Sequence, residues 1–265
     1  MLTSAAIGLA LAPGCTVTET TAAPGPPYPT EDSFCQAVAG AVCNANVVTA
    51  CYGSAAEDLA ADQQKCIQAG KSSVCNPGNL NYHPEQAETC LAAYTSAYAD
   101  AKISQSELDV IAASCLATFY EGNAAGDECK QDSDCNGAAG QRCIKKGTKG
   151  SCQVPKPVEA GKNCDAIDAV CPEGLYCGKT QTGSACVDKA PVGFEGCSDE
   201  VPCVDEARCD PEDKKCVAKA DNNADCTADG ECKGGLCSMP TGADKGKCTA
   251  TITLAQTDSR CDAFR

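Results

Sequence analysis

The sequence predicts a small disulfide-rich protein, an α-helical N-terminal bundle followed by four tandem cysteine-knot-like modules with short β-hairpins. Three observations carry that expectation. Cysteine occupies 25 of 265 positions, which lies in the range of secreted disulfide scaffolds. Leu, Ile, Val and Phe together occupy 37, about 14% against the roughly 20% of an ordinary folded core, so cross-links must replace part of the apolar burial. The apolar residues recur at helical spacing before residue 122, and the cysteines recur in quartets after residue 126. Charge divides the chain at the same place. The formal net charge is −15, and the first 125 residues hold 3 basic and 12 acidic residues of the chain's 21 and 36. Such an acidic chain repels phosphate backbones, so no nucleic-acid partner is expected.

Residues 1–14 read as a signal peptide: the apolar run MLTSAAIGLALA is too short to span a bilayer and ends at Pro13-Gly14-Cys15. Ala12 and Gly14 before Cys15 resemble the bacterial lipobox, although Ala12 stands where that family favours leucine. The resemblance implies that Cys15 becomes the acylated N-terminus and that the chain is membrane-attached through this lipid. Thr16, where an inner-membrane protein would carry aspartate, implies an outer-membrane lipoprotein on the surface or periplasmic face of a bacterial envelope; the alternative is plain secretion. Cysteine parity agrees, because removing Cys15 leaves 24 that can pair completely. Residues 15–30, with four prolines, read as an extended tether of on the order of 45 Å.

Residues 31–122 read as a helical domain. Leu108, Ile111, Ala112, Cys115, Leu116 and Phe119 form an amphipathic stripe, opened by the capping box Ser104-Gln105-Ser106-Glu107 and closed by Gly122. Ala87, Cys90, Leu91, Tyr94, Tyr98 and Ala101 form a second stripe, entered through His83-Pro84. Phe34, Val38, Ala41 and Val42 mark a third helix. Leu59, Cys66 and Ile67, after the capping box Ser54-Ala55-Ala56-Glu57, mark a fourth. The faces are alanine-rich, so Cys35, Cys43, Cys51, Cys66, Cys75, Cys90 and Cys115 are expected to staple the helices, with partners that the sequence leaves open. Seven is odd. Cys261, in the C-terminal tail at 251–265, is expected to return to this domain, with an intermolecular disulfide as the alternative.

Residues 126–250 hold four quartets in modules 126–152, 161–186, 193–216 and 223–248. They are Cys129, Cys135, Cys143, Cys152; Cys164, Cys171, Cys177, Cys186; Cys197, Cys203, Cys209, Cys216; and Cys226, Cys232, Cys237, Cys248. No two cysteines are separated by only two residues, the knuckle of structural zinc sites and thioredoxin-type centres, so disulfides are expected rather than metal, and no cofactor. Each quartet allows three pairings, and spacing does not choose among them. Interlaced first-to-third and second-to-fourth bonds, which would clamp a loop and a short hairpin, are the working assignment.

These gaps, with Gly126-Asp127-Glu128-Cys129 and Gly161-Lys162-Asn163-Cys164 opening modules, resemble the tandem Dickkopf N-terminal-like repeats of bacterial cysteine-rich surface lipoproteins. The lead-in Cys115-Leu116-Ala117-Thr118-Phe119-Tyr120-Glu121-Gly122 is similar to the same architecture. The resemblance covers about half the chain and implies a scaffold without naming a receptor.

The candidates for chemistry are few. Asp132-Ser133-Asp134-Cys135-Asn136-Gly137 matches the first half of an EF-hand loop, but Cys143 stands where the bidentate glutamate belongs, which leaves at most a weak calcium site. His83 is the single histidine and reads as a helix-entry residue; Gly-x-Ser-x-Gly is absent. The expectation is therefore a non-enzymatic binding scaffold for an unknown protein or envelope polymer, with a protease-inhibitor-like module or an envelope hydrolase as alternatives.

Overall fold

The computed structural model describes residues 25–265 apart from residues 56, 76, 77, 79, 147 and 148; the signal peptide, Cys15 and most of the tether lie outside the described residues. Five helices form the N-terminal part: α1 (Glu31–Val42), α2 (Ala45–Tyr52), α3 (Leu59–Val74), α4 (Ala87–Ala97) and α5 (Gln105–Cys115). Helix α5 starts at the capping box read from the sequence: the Glu107 N–H donates to Ser104 Oγ (3.3 Å) and the Ser104 N–H to Glu107 Oε2 (2.8 Å). A second box, Thr30 with Ser33, opens α1 and satisfies backbone donors that would otherwise face solvent unpaired. Phe34, Val38, Ala39 and Val42 of α1 and Val47, Val48 and Cys51 of α2 are fully or almost fully buried.

Three sequence expectations need correction. Helix α2 was not anticipated, although Asn44 caps it through the Asn46 and Val47 N–H groups and Gly53 ends it at φ +66°. Helix α3 starts at Leu59 and not behind a Ser54 box, because Ser54 Oγ donates to Asp62 instead (2.7 Å). Helix α5 stops at Cys115 without reaching Gly122. Phe119 is drawn instead into a cluster with Phe34 and Tyr82 (ring centroids 5.7 and 5.5 Å), so Phe119–Tyr120 becomes a strand paired antiparallel with Asn81–Tyr82. Residues 251–265, from which Cys261 is expected to return to the helical domain, pack against it. Thr251–Thr253 pairs antiparallel with Lys102–Ser104, and Ile252, Leu254, Cys261 and Phe264 are buried in the helical core.

Beyond residue 122 the chain is short strand pairs held by disulfides, with four small cores centred on the quartets. In each quartet the third and fourth cysteines face each other across an antiparallel hairpin: Cys143 and Cys152, Cys177 and Cys186, Cys209 and Cys216, Cys237 and Cys248. The first quartet docks on the C-terminal end of α5, where the Glu121 N–H donates to Ser133 O (2.8 Å) and Gly137 lies against the Leu116 carbonyl. The fourth docks near its N-terminal end: Gly235 packs on Gln105, and Leu236 is fully buried in the helical core. Eleven residues of helix separate these footholds by about 16 Å.

Candidate functional site

The quartets carry most of the loops and most of the chain's unusual chemistry. All 24 described cysteines are disulfide-bonded. The quartets pair Cys129 with Cys143, Cys135 with Cys152, Cys164 with Cys177, Cys171 with Cys186, Cys197 with Cys209, Cys203 with Cys216, Cys226 with Cys237 and Cys232 with Cys248. In the helical part Cys35 joins Cys75, Cys43 joins Cys66, Cys90 joins Cys115, and Cys51 joins Cys261. This density of disulfides marks an extracellular or secreted protein. Within a quartet three sulfurs, such as those of Cys129, Cys135 and Cys152, lie within 4.8 Å of one another. That is the proximity of a metal centre, but each sulfur is bonded to another sulfur, whereas the thiolate is the metal ligand.

One set of backbone bonds recurs around every quartet. A residue at positive φ ahead of the first cysteine donates its N–H to the carbonyl of the fourth: Gly126 to Cys152 (2.8 Å), Gly161 to Cys186 (2.9 Å), Gly193 to Cys216 (2.7 Å) and Asn223 to Cys248 (2.8 Å). A left-handed backbone is what glycine and asparagine supply at lowest cost. The fourth cysteine returns a bond to the following turn, from Cys152, Cys186, Cys216 and Cys248 to the carbonyls of Asp127, Lys162, Phe194 and Ala224. The incoming linker is also fastened. Asn123, Val158, Ala190 and Ala220 donate to the carbonyl just before the second cysteine, at Asp134, Val170, Pro202 and Glu231 (2.7 to 3.0 Å).

The acidic turns are explained by the same accounting of donors. Asp132 Oδ1 accepts the Cys143 N–H (2.9 Å), and Asp229, at the matching place in the fourth quartet, accepts the Cys237 N–H (2.7 Å). Asp134 Oδ2 accepts from the Lys130 N–H (2.7 Å), and Glu231 Oε2 from the Thr227 N–H (2.8 Å). Burial pushes the Asp134 carboxyl up, but the N–H groups of Lys130 and Gln131 outweigh it and hold the group below its ordinary value. The Thr227 N–H and hydroxyl do the same for Glu231. Each of these oxygens accepts a backbone N–H of its own quartet, so at the partial EF-hand pattern the acids cap turns.

Elsewhere among the described residues the buried His83 Nε2 and Gln141 Oε1 have no hydrogen-bond partner. His83 stacks on Tyr120 (centroids 3.6 Å apart, 3° between planes), its Nδ1 is 3.7 Å from Glu85 Oε1, and it opens the 3-10 turn Pro84–Gln86 ahead of α4. An open cavity of ≈ 570 Å³ lies between α1 and α3, over the Cys35–Cys75 bond, with Glu31, Asp32, Gln68 and Lys71 on its walls. Asp32 is ion-paired to Lys71, and Ser72 Oγ donates to Ala69 O (3.0 Å), so the cavity does not pair a nucleophile with a base. Sequence reading missed the contacts that join quartets, among them the Lys146 ammonium bound to the Cys164 and Ala166 carbonyls and Lys189 bound to Asp205 (2.5 Å). A lysine on a hairpin gives no periodic signal for such a role. No protein-family model, curated protein or solved structure matches the chain.

Proposed function

We propose that the chain is an exported, non-catalytic binding scaffold of a bacterial envelope, anchored through lipid on Cys15, whose four quartets are tandem modules of the Dickkopf N-terminal-like kind displaying loops to a protein or an envelope polymer. The carrying observation is the recurrence around every quartet of two disulfides, the positive-φ bond to the fourth cysteine and the linker bond before the second. Loops fastened this way have little conformational entropy left to lose on binding, which favours recognition. The tether and anchor would keep them concentrated at the envelope.

The inhibitor alternative draws on Phe194, a residue 40% exposed in the linker before the third quartet. Its N–H donates to Pro191 O and its carbonyl accepts from Cys216, so the backbone is folded into a turn and is not presented as the extended strand a protease reads. The envelope-hydrolase alternative requires converging carboxylates. In the cavity the two acids are neighbours on one turn of α1, with one already paired to Lys71. The deciding experiment is capture of partners by the soluble chain 25–265 from envelope extracts, with glycan and peptide turnover assayed in parallel. A specific partner without turnover supports the scaffold, whereas turnover overturns it. Mass spectrometry of the mature N-terminus checks the anchor, which an unmodified Cys15 would remove.

A further inference from the structure

The disulfide connectivity runs against the order in which the sulfurs become available. Along the chain only Cys90 and Cys115 are bonded as consecutive cysteines; each of the other eleven bonds skips at least one. The extreme case is Cys51, whose partner Cys261 lies 210 residues away. Cys43 and Cys66 stand 8 and 15 residues from Cys51. Loop closure falls with about the three-halves power of length, so Cys66 meets Cys51 roughly 50 times more often than Cys261 does in an unfolded chain. In a chain that emerges N-terminus first, Cys261 also arrives after every other described cysteine. The native partner is thus disfavoured both by distance and by timing.

The core adds a second obstacle. Cys51 and Cys261 are fully buried, in one hydrophobic cluster with Ile252, Leu254 and Phe264 of the C-terminal segment. The cluster that holds Cys51 is therefore still missing these members while the quartets are being made. An unguided oxidant acting on the emerging chain would join Cys51 to Cys43 or Cys66, and that would also deprive the native Cys43–Cys66 bond of a partner.

We infer that this protein is a client of a dithiol-type disulfide isomerase in the compartment where it folds, and that the Cys51–Cys261 bond is what makes it one. The step is an exchange that conserves disulfides. An isomerase thiolate attacks one sulfur of a non-native bond such as Cys43–Cys51, forms a mixed disulfide with Cys43, and releases Cys51 as a thiolate. That thiolate waits until Cys261 is brought beside it by the docking of Phe264. It then displaces whichever partner Cys261 has acquired, and Cys66 displaces the enzyme from Cys43. No net oxidant is consumed. The inference needs only an oxidising compartment and does not depend on what the loops bind.

The test refolds the fully reduced chain in two ways: in excess diamide without thiol, and in glutathione redox buffer with a catalytic amount of a protein disulfide isomerase. Peptide mass spectrometry then maps the bonds. The expected result is at least about tenfold better recovery of Cys51–Cys261 with the isomerase, and Cys51 joined to Cys43 or Cys66 in diamide. The double variant C51S/C261S should narrow the difference between the arms for Cys43–Cys66. Equal recovery of Cys51–Cys261 in both arms, recovery in neither, an undiminished difference in the double variant, or native protein with Cys51 on a nearer cysteine would each overturn the inference.

Discussion

Cys51 in α2 is bonded to Cys261, 210 residues further along the chain, and neither sulfur is exposed. With the first quartet docked at one end of α5 and the fourth near the other, the bond closes the quartets and the helices into one covalent circuit. The second and third quartets hang between those footholds, with hydrophobic clusters of their own.

A cut between the second and third quartets should therefore not separate the molecule. Every other disulfide lies wholly on one side of residues 187–196, so Cys51–Cys261 alone would hold the two pieces covalently. A protease site inserted after Ala190 should, once cleaved, give one band on a non-reducing gel and two after reduction. Two bands without reductant would refute this bond.

Phe264 should matter to the helices despite standing one residue from the end. It is 3% exposed, meets Tyr98 edge-on (centroids 6.1 Å) and has its carbonyl bound by the Tyr52 hydroxyl. Burial at the same place pushes the Tyr98 hydroxyl up to about 12. Phe264→Ala leaves a cavity that costs about 3–5 kcal/mol. The melting temperature of the helical signal in circular dichroism should fall accordingly, by about 2–4 °C per kcal/mol for a chain of this size. An unchanged melt would mean that the C-terminal segment is not part of that core.

The helices were legible where a local signal coincided with a buried stripe. Ser104 and Glu107 could be read because a capping box is written in four consecutive residues and the stripe after it is amphipathic. Helix α2 was not read, since eight residues with two adjacent valines give too few turns to show a period. The end of α5 could not be read either. Phe119 continues the helical spacing, and only the presence of Phe34 and Tyr82 in three dimensions draws it out into a strand. Ile252 and Leu254 alternate as in a strand, but a strand of three residues is too short to read from its period, so the place of 251–265 in the helical core becomes visible only with the fold. The acids of the quartet turns were legible as a pattern, but their use was not: whether a carboxylate binds a cation or caps a backbone N–H depends on where that N–H points.

Gly137 tests the foothold of the first quartet. A Cβ there would sit 2.4 Å from the Leu116 carbonyl oxygen, which belongs to backbone at the end of α5 and cannot swing aside. Gly137→Ala should cost about 1–3 kcal/mol, as overpacking does, and should loosen the docking before it opens the quartet itself. Hydrogen exchange should report it as faster exchange of the Glu121 and Asn123 N–H groups, with the Cys152 N–H still protected. Protection unchanged at all three would mean that the contact is not close in solution.

The capped turns predict a response to acid. Asp134 and Glu231 each stand immediately before a second cysteine and each accept the N–H four residues back, of Lys130 and of Thr227. Both carboxyls are held below their ordinary values of 3.8 and 4.5. A group whose folded value is depressed binds fewer protons when folded than when unfolded, so it adds stability above its ordinary value and loses that contribution as the pH falls through the folded one. The turns should therefore weaken on going from pH 6 to below about 3.8, with no corresponding loss on the alkaline side. Asp62, Asp165, Asp168, Asp210 and Asp225 are depressed as well, so the total loss is shared among many groups and the informative quantity is a difference. Asp134→Asn with Glu231→Gln keeps an oxygen able to accept the N–H and removes the charge that protonation would remove. Thermal unfolding at pH 6 and pH 3 should show a smaller fall for the double variant than for the parent chain, because the parent alone still has that charge to lose. An equal fall in both would assign the acid response to the remaining carboxylates and reduce the two caps to neutral acceptors.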